Sequence, residues 1–533
     1  MYTRYLLFAL FLFISLLTHA KKVLIGGSGG YLNYSNATST LSLLPGDTIA
    51  IQPGKYSGFT FGNIRGTASK KIAIINNKGL VEITGSNASN LNTCSNVVFS
   101  GNGANGIKYG FYFHDINGRA MQLDNKADSI TISYARFERV SDYTIRINAD
   151  KKYDGTEVTL IENIRFLHLS FKKTGTPIDW GNFAYGSDLI GCGRNVEVAY
   201  CTIDSLNGGD GVRLNKVFDV NIHHNRFTNT GLLTSTHPGT FYLRGDGTIH
   251  HNFFQNIWGN GVRSEGIGLN EMGELTISNN IFLGSRKYSA IEVQTHPSDV
   301  TTSGSPSTKS CHYKIFNNTM GNQSARDYSA AMVDVYSLLD GKCEIRNNLG
   351  FNIEKDKAHV PTKNYIYNRQ SPIATDVPDT SNNLYRRSFV QLGLVDTLNV
   401  YLKPNSIAVD KGMTLNTITD DFEGIVRPKG IKYDIGAREF VPPMQVVTSL
   451  EEIHNISGQI LMYPNPCTSH VTLRSQSPLI RVSFSNVHGQ LIFEQLLMGD
   501  FETQLNLERI ENGIYFIRME TENGSIVKSL LKH

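Results

Sequence analysis

Between residues 204 and 296 the chain concentrates side chains able to do polar chemistry. Arg213, Arg263 and Glu292 fall at corresponding points of three similar tetrapeptides, GVRL (211–214), GVRS (261–264) and AIEV (290–293). Asp210, Arg244, Asp246, Glu265 and His296 lie near them in sequence, and Arg146, Lys287 and Tyr288 extend the set. Two kinds of chemistry fit these residue types. Arginines pair bidentately with the carboxylates of an acidic sugar polymer. Neutralising such a carboxylate acidifies the adjacent C–H, and a second side chain then removes the proton. Arg213 and Arg263 would neutralise charge, and an arginine, Lys287, Tyr288 or His296 would carry the proton. Hydrolysis needs instead two carboxyls flanking a glycosidic bond, one of them protonated. Asp210, Asp246, Glu265 and Glu292 are the candidates for that role. Arg146, Lys287 and Tyr288 are read as contacts to the polymer.

The tetrapeptides belong to a column. AMQL (120–123), TIRI (144–147) and MVDV (332–335) share their apolar–polar–apolar pattern. Alternation of this kind is the signature of strands, so Gln122, Arg146, Arg213, Arg263, Glu292 and Asp334 should face outward on one sheet. The coil TFYLRGD (240–246) between them would add Arg244 and Asp246.

A second column sets the spacing. IHHNRFTN (222–229) returns as IHHNFFQN (249–256), and related segments follow with LTISNNIF (275–282), YKIFNNTM (313–320) and CEIRNNLGF (343–351). Asn225, Asn252, Asn280, Asn318 and Asn348 stand 27, 28, 38 and 30 residues apart. A repeat in this range signals a solenoid, and the lack of helical periodicity makes each coil one of strands. Coils of a parallel β-helix stack about 4.8 Å apart, so equivalent residues lie above one another. Repeated Asn then predicts a ladder in a turn, with amides bonded to each other and tolerant of a tight backbone angle. Phe227, Phe254 and Phe282 would stack inside. The paired histidines vanish in later coils while the Asn persists, so they read as turn residues of the stack rather than as a metal or catalytic site.

The chain has 533 residues, with Lys+Arg 50 against Asp+Glu 47. So even a balance gives no basis for binding nucleic acid phosphates. Residues 1–20, with Arg4 before an apolar run at Leu6–Leu17, read as a signal peptide, and no later segment reads as transmembrane. Six cysteines are too few for a disulfide scaffold in a chain this long; Cys192–Cys201 and Cys311–Cys343 are conceivable pairs, and buried free thiols are the alternative. No CxxC occurs, and no metal site is indicated, although calcium is possible where acids crowd a turn. The cofactor is left unknown.

Pro45-Gly46-Asp47-Thr48-Ile49, Pro53-Gly54-Lys55-Tyr56 and Gly66-Thr67 resemble the opening of secreted β-helix proteins of the pectate-lyase-like group, which includes chondroitinase-B-like and alginate lyases. The resemblance implies an all-β chain whose residues 21–440 form a right-handed parallel β-helix, with an N-terminal cap from residues 21–40. AVDKG (408–412), DDFEGIVRP (420–428) and YDIGAREF (433–440) resemble the closing segment of surface β-helix proteins, with Arg427, Asp434 and Glu439 as a salt-bridged cap. Residues 441–459 read as a linker. From YPNP (463–466) to the end, residues 460–533 resemble the type A C-terminal sorting domain of the type IX secretion system of Bacteroidota. That implies a small Ig-like β-sandwich, type IX machinery as a partner, and a secreted or cell-surface location. With the expected β-helix, the row of arginines and carboxylates suggests a polysaccharide ligand and a lyase-like activity on a uronate polymer. A non-catalytic adhesin or glycan-binding scaffold, a glycoside hydrolase and a uronate epimerase are the alternatives. GGDG (208–211) lacks a paired Asp-Asp and a following Gly-His-Gly, which weakens the hydrolase reading.

Overall fold

The computed structural model describes residues 20–85, 88–149, 151–181, 188–207, 210–231, 239–301, 304–326, 329–354, 365–368, 378–442, 460–487, 490–508, 510–521 and 524–533. The expected signal peptide and nearly all of the expected linker lie outside these residues. Two compact units divide the chain at Val441/Pro442.

The first unit is a right-handed parallel β-helix with three sheets. In the coil around Asn225, Val212–His223 supplies the second sheet with its first half and the first sheet with its second half, and Arg226–Thr228 supplies the third. Every strand of these sheets pairs in parallel with the equivalent strand one coil away, as in Ile222↔Ile249, Phe227↔Phe254 and Leu214↔Leu243. Alternation decides what is inside. On the second sheet Ile145, Ile178, Val212, Phe241, Val262, Ile291 and Val333 form one buried row. Phe227, Phe254 and Phe282 stack on the third sheet with centroids 4.8 and 4.6 Å apart, so the expected Phe stack is present.

The turn between the first and third sheets holds the register. Asn225 Nδ2 donates to Asn252 Oδ1 at 3.0 Å, and the same contact repeats from Asn252 to Asn280, Asn280 to Asn318 and Asn318 to Asn348, each at 3.0 Å. Each Oδ1 also accepts the backbone N–H of the Asn one coil earlier, and each amide donates to a strand carbonyl such as Ile222 O at 2.9 Å. These are buried groups, so a missing partner would cost a full desolvation penalty. One detail differs from the sequence reading. The tight backbone angle belongs not to the Asn but to the residue before it: Tyr134, His168, Tyr200, His224, His251, Asn279, Asn317 and Asn347 all have φ between 51 and 57°. Their side chains project outward, and the rings of His168, Tyr200, His224 and His251 stack with centroids 4.9–5.0 Å apart. The paired histidines are thus left-handed turn residues and their strand neighbours, as their loss in later coils suggests.

The N-terminal end departs from the sequence picture. Residues 21–40 are not a separate cap. Lys22–Ile25 pairs with Thr48–Ile51 and Gly30–Tyr34 with the strand at 54–62, so they form the first coil, with one helical turn at Ala37–Thr40. The closing segment lies along the turn. His251 Nε2 donates to Asp421 O at 2.7 Å, Asn279 Nδ2 to Asp420 O at 2.9 Å and Asn347 Nδ2 to Met413 O at 2.8 Å. Inside it, Arg427 and Glu439 form a buried ion pair at 2.5 Å, and the Asp434 carboxylate accepts the backbone N–H groups of Asp410 and Phe440. All six cysteines are buried free thiols, so neither conceivable disulfide forms.

The second unit is antiparallel. Ile460–Tyr463, His470–Asn486, Leu491–Asn506, Gly513–Thr521 and Gly524–Lys532 make one sheet over a core that includes Val471, Phe484, Ile517 and Leu530.

Replacing Asn252 by Ala leaves the buried Asn225 N–H and Ile222 carbonyl without their partner, and should lower unfolding stability by about 3 kcal/mol. His224→Asn puts at that turn the residue type already found at 279 and 317, which tolerates the left-handed region, and should cost under ~1 kcal/mol. Denaturant titration of the two variants checks the difference; equal losses would contradict it.

Candidate functional site

The outward row of the second sheet runs Gln122, Arg146, Asp179, Arg213, Tyr242, Arg263, Glu292, Asp334, Tyr367, one residue per coil. All six members read from sequence fall in this row, with Asp179 and Tyr242 between them. Its first part is a compact cluster. Asp179, fully buried, accepts from Arg146 at 2.5 Å and from Arg213 Nε at 2.6 Å. Both guanidiniums also lie over the ring of Tyr143, at 4.7 and 5.3 Å from its centroid, and Arg119 reaches the same ring at 5.7 Å. Arg213 donates to the Tyr143 hydroxyl at 3.1 Å. Asp210 stands 3.6 Å from Arg213. Burial pushes the Asp210 carboxyl up from its ordinary range, against the pull of Arg213 and Arg263. Burial likewise raises Asp179 against its two arginines. Holding a carboxylate and two guanidiniums out of water costs free energy that an apolar row would not, which marks the cluster as a functional candidate.

The second part is more enclosed. Arg263 pairs with Glu292 at 3.1 Å and lies over the Tyr242 ring at 5.3 Å. Tyr242 donates its hydroxyl to Glu265 at 2.6 Å, and Gln294 Nε2 donates to the same oxygen at 3.0 Å. Burial raises Glu265. Arg244 aligns one coil before Glu265 and does not reach the surface. It is held by Asn215 at 3.1 Å, Glu265 at 3.4 Å and Asp299. The sequence adds Arg244 to the outward column; the structure makes it the centre of a buried network.

Other candidates lie apart. Asp246 sits in the corner joining the second sheet to the first, past a sharp bend. At Gly245 an added Cβ would lie 1.7 Å from Val217 O, so only glycine permits this bend. Asp246 faces a polar pocket of about 240 Å³ lined by Arg194, Asp219, Glu271 and Glu274. Burial first, then Asp219 and Glu271, push its carboxyl up to about 7. His296 is exposed and caps the turn Pro297–Asp299, accepting from Ser298 N at 3.3 Å. Lys287 and Tyr288 form a cation–ring pair at 4.6 Å in the corner before the Glu292 strand. Sequence reasoning missed Asp179, Tyr143 and Tyr242. Asp179 lies in IDW (178–180), which has the same apolar–polar–apolar pattern as the tetrapeptides; no periodic signal marks Tyr143. Among the described residues no group of three or more His, Cys, Asp or Glu is arranged to hold a metal ion.

Residues 461–533 match the family described as the secretion system C-terminal sorting domain. The second unit is a sorting domain. The protein is therefore a type IX secretion substrate, delivered to the cell surface or the extracellular space, and no helix among its described residues is long and apolar enough to cross a membrane. The sorting domain covers only this end of the chain. No curated protein sequence matches the chain. Among solved structures, the tailspike protein of Acinetobacter baumannii phage AM24 is 10% identical, with 91% of this chain and 67% of that chain covered and a TM-score of 0.35. The enzymatically active domain of tailspike protein 2 of bacteriophage CBA120 is 9% identical, with 96% and 76% covered and a TM-score of 0.32. The A-module of an Azotobacter vinelandii mannuronan C-5 epimerase is 9% identical, with 66% and 93% covered and a TM-score of 0.21. Likeness at this level carries no statement about what this chain binds.

A carboxyl raised to about 7 keeps its proton in the fold at pH values where the unfolded chain, near 3.9, has lost it. Its protonation therefore favours the fold, and that contribution shrinks as pH rises from about 4 to about 7. Asp246→Asn should remove this slope, so its stability relative to the parent protein should grow across that window and level off above it. Parallel denaturation curves for the two proteins at every pH would contradict the placement of Asp246.

Proposed function

We propose that the exported β-helix acts on an acidic polysaccharide lying along the outer face of the second sheet, and that it cleaves the chain by elimination at a uronate. The carrying observation is the convergence of Arg146 and Arg213 on Asp179 and on the half-buried Tyr143, with Arg213 bonded to the Tyr143 hydroxyl. Asp179 fixes both guanidiniums side by side, in the planar geometry that suits a carboxylate ligand. With the uronate carboxylate held there, the C5 proton is acidified. Tyr143 takes it as the phenolate, the C5–H electrons form the C4–C5 double bond, the C4–O bond breaks, and the leaving oxygen takes up the proton that Tyr143 has just gained. The negative charge that the Tyr143 oxygen carries before it takes the proton is met by the Arg213 N–H already directed at it.

Asp210 favours a second reading. A carboxyl raised by burial is suited to donate a proton to a glycosidic oxygen, as the acid of a hydrolase does. The two readings leave different products.

The purified protein is incubated with alginate, polygalacturonate, hyaluronan and chondroitin sulfate, following absorbance of the unsaturated uronate and the appearance of reducing ends. Elimination predicts both signals, and a fall in kcat of about 10²–10⁴-fold for Tyr143→Phe with little change in Kd. New reducing ends without the absorbance would establish hydrolysis instead. Binding with neither product would make the protein an adhesin, and no interaction with any of the four would end the acidic-glycan reading.

A further inference from the structure

The outward face of the second sheet changes character at Arg146. In the four coils before it the row reads Asn33, Thr60, Asn90 and Gln122, each paired with the next in parallel register. All four are uncharged, whereas Arg146, Asp179 and Arg213 follow them directly. Two residues further along the same strands stand Gly62, Asn92 and Asp124, so neither outward row brings a cation to these coils. Arg119, at the corner before Met121–Asp124, already belongs to the Tyr143 centre. It lies over that ring at 5.7 Å and pairs with Asp142 at 3.4 Å.

The uncharged groups hold one another in place. Gln122 Nε2 donates to Asn90 Oδ1 at 3.1 Å, and Gln122 Oε1 accepts from Arg119 at 2.8 Å and from Asn148 at 3.3 Å. Asn90 Nδ2 donates to Ala88 O at 3.3 Å. An amide nitrogen carries two N–H groups, and these bonds use one on each. Asn90 and Gln122, both partly exposed, therefore keep a donor for a ligand hydroxyl. Thr60 shares a 2.8 Å hydrogen bond with the hydroxyl of Tyr31, which also donates to Ala88 O at 3.3 Å. Tyr31 is 37% exposed, and an aromatic side chain fixed by its hydroxyl suits the apolar face of an uncharged sugar. Asp124 is the one charged member of the two rows. Its carboxylate accepts from Asn148 and has no ion pair among the described residues. A sugar carboxylate on these coils would lose hydration without gaining a cation, and would meet that like charge.

We infer that the four coils before Arg146 form a subsite for uncharged sugars of the same polymer whose uronate occupies the Tyr143 centre. This rests on the functional reading above and narrows its substrate class. Coils rise about 4.8 Å each, so four of them run for about 19 Å, a length that several linked sugars fill. The substrate is then a mixed glycan. On one side of the uronate it carries sugars without a free carboxylate, and that side points toward the N-terminal end of the solenoid. A polymer ionised at every sugar fits less well.

The test takes whichever of the four polymers named above the full chain binds most tightly, and converts its uronate carboxyls to methyl esters in graded, random fractions. Binding is measured by calorimetry at fixed ionic strength. A charged centre with an uncharged flank predicts an optimum. Affinity should rise about tenfold from the fully ionised polymer to an intermediate degree of esterification, as like-charge repulsion is relieved, and fall again as the last free carboxylates disappear. Asp124→Asn removes the like charge, and Asn90→Lys adds a cation to the flank. Both should move the optimum toward the ionised polymer and shrink the gain to under about twofold. Unchanged circular dichroism and melting confirm that each variant folds, and the parent profile decides alone where one does not. Affinity that falls steadily with every ester added, or an optimum that neither variant moves, would overturn the subsite while leaving the Tyr143 centre intact. Affinity that climbs to complete esterification, or no binding to any of the four polymers, would overturn both.

Discussion

Stacking of equivalent residues from coil to coil is the constraint on which the other features depend, and in the later coils the asparagine ladder enforces it. Each amide from Asn225 to Asn348 bonds to the next coil, to a backbone N–H of the preceding coil and to a strand carbonyl. Buried polar groups of this kind lose far more when one partner is displaced than they gain on pairing. A slip of one residue between coils would break all three contacts and turn every strand inside out. Fixing the turn fixes the register of the coils that carry Tyr242, Arg263, Glu292 and Asp334; the coils of Arg146, Asp179 and Arg213 come earlier, with Ala135, Leu169 and Cys201 at the turn position, and share one row through the pairing of their strands.

Once the interior is settled by alternation and the turn by its amides, the outward face of the second sheet carries no structural demand for buried charge. It carries a large amount of it nonetheless. Asp179, Arg244, Glu265 and Asp299 are all enclosed, and each is held by a partner of opposite charge or by hydrogen bonds. Ion pairs of this kind contribute little net stability in place of a well-packed apolar row. What they provide is orientation. Asp179 sets two guanidiniums side by side at a partly exposed phenol, and the Arg244 network fixes Glu265, which in turn holds Tyr242. The closing segment works on the opposite side of the solenoid wall, where His251, Asn279 and Asn347 receive it at the turn. This leaves His251 with a docking role and the second sheet with the candidate site.

Much of this was legible in the residues. The spacing of Asn225, Asn252, Asn280, Asn318 and Asn348 announces the ladder, and the pattern shared by TIRI, GVRL, GVRS and AIEV announces the row. The repeat points to the Asn as the left-handed turn position, one residue too late, because the letter repeated in each coil marks the inward amide and not the strained backbone next to it. Arg244 departs from its expected place for a different reason. Alternation says that it faces out of the sheet, but a side chain that leaves one sheet can still be enclosed by a neighbouring turn, here Pro297–Asp299. Tyr143 was invisible because corner residues obey no period. Asp246 shows the opposite limit: two residues past Arg244, it lies beyond a glycine bend that carries it away from the row.

The central claim is that an acidic polymer lies along the second sheet's outer face, and hydroxyl-radical footprinting with and without bound polymer tests it most directly. Tyr143 and Tyr288 border that face, whereas Tyr112 lies on the third sheet and Tyr200 stands in the exposed turn. The account predicts that saturating polymer protects Tyr143 and Tyr288 and leaves the oxidation of Tyr112 and Tyr200 unchanged. Protection of Tyr112 or Tyr200 with Tyr143 still reactive would place the ligand on another face and contradict it.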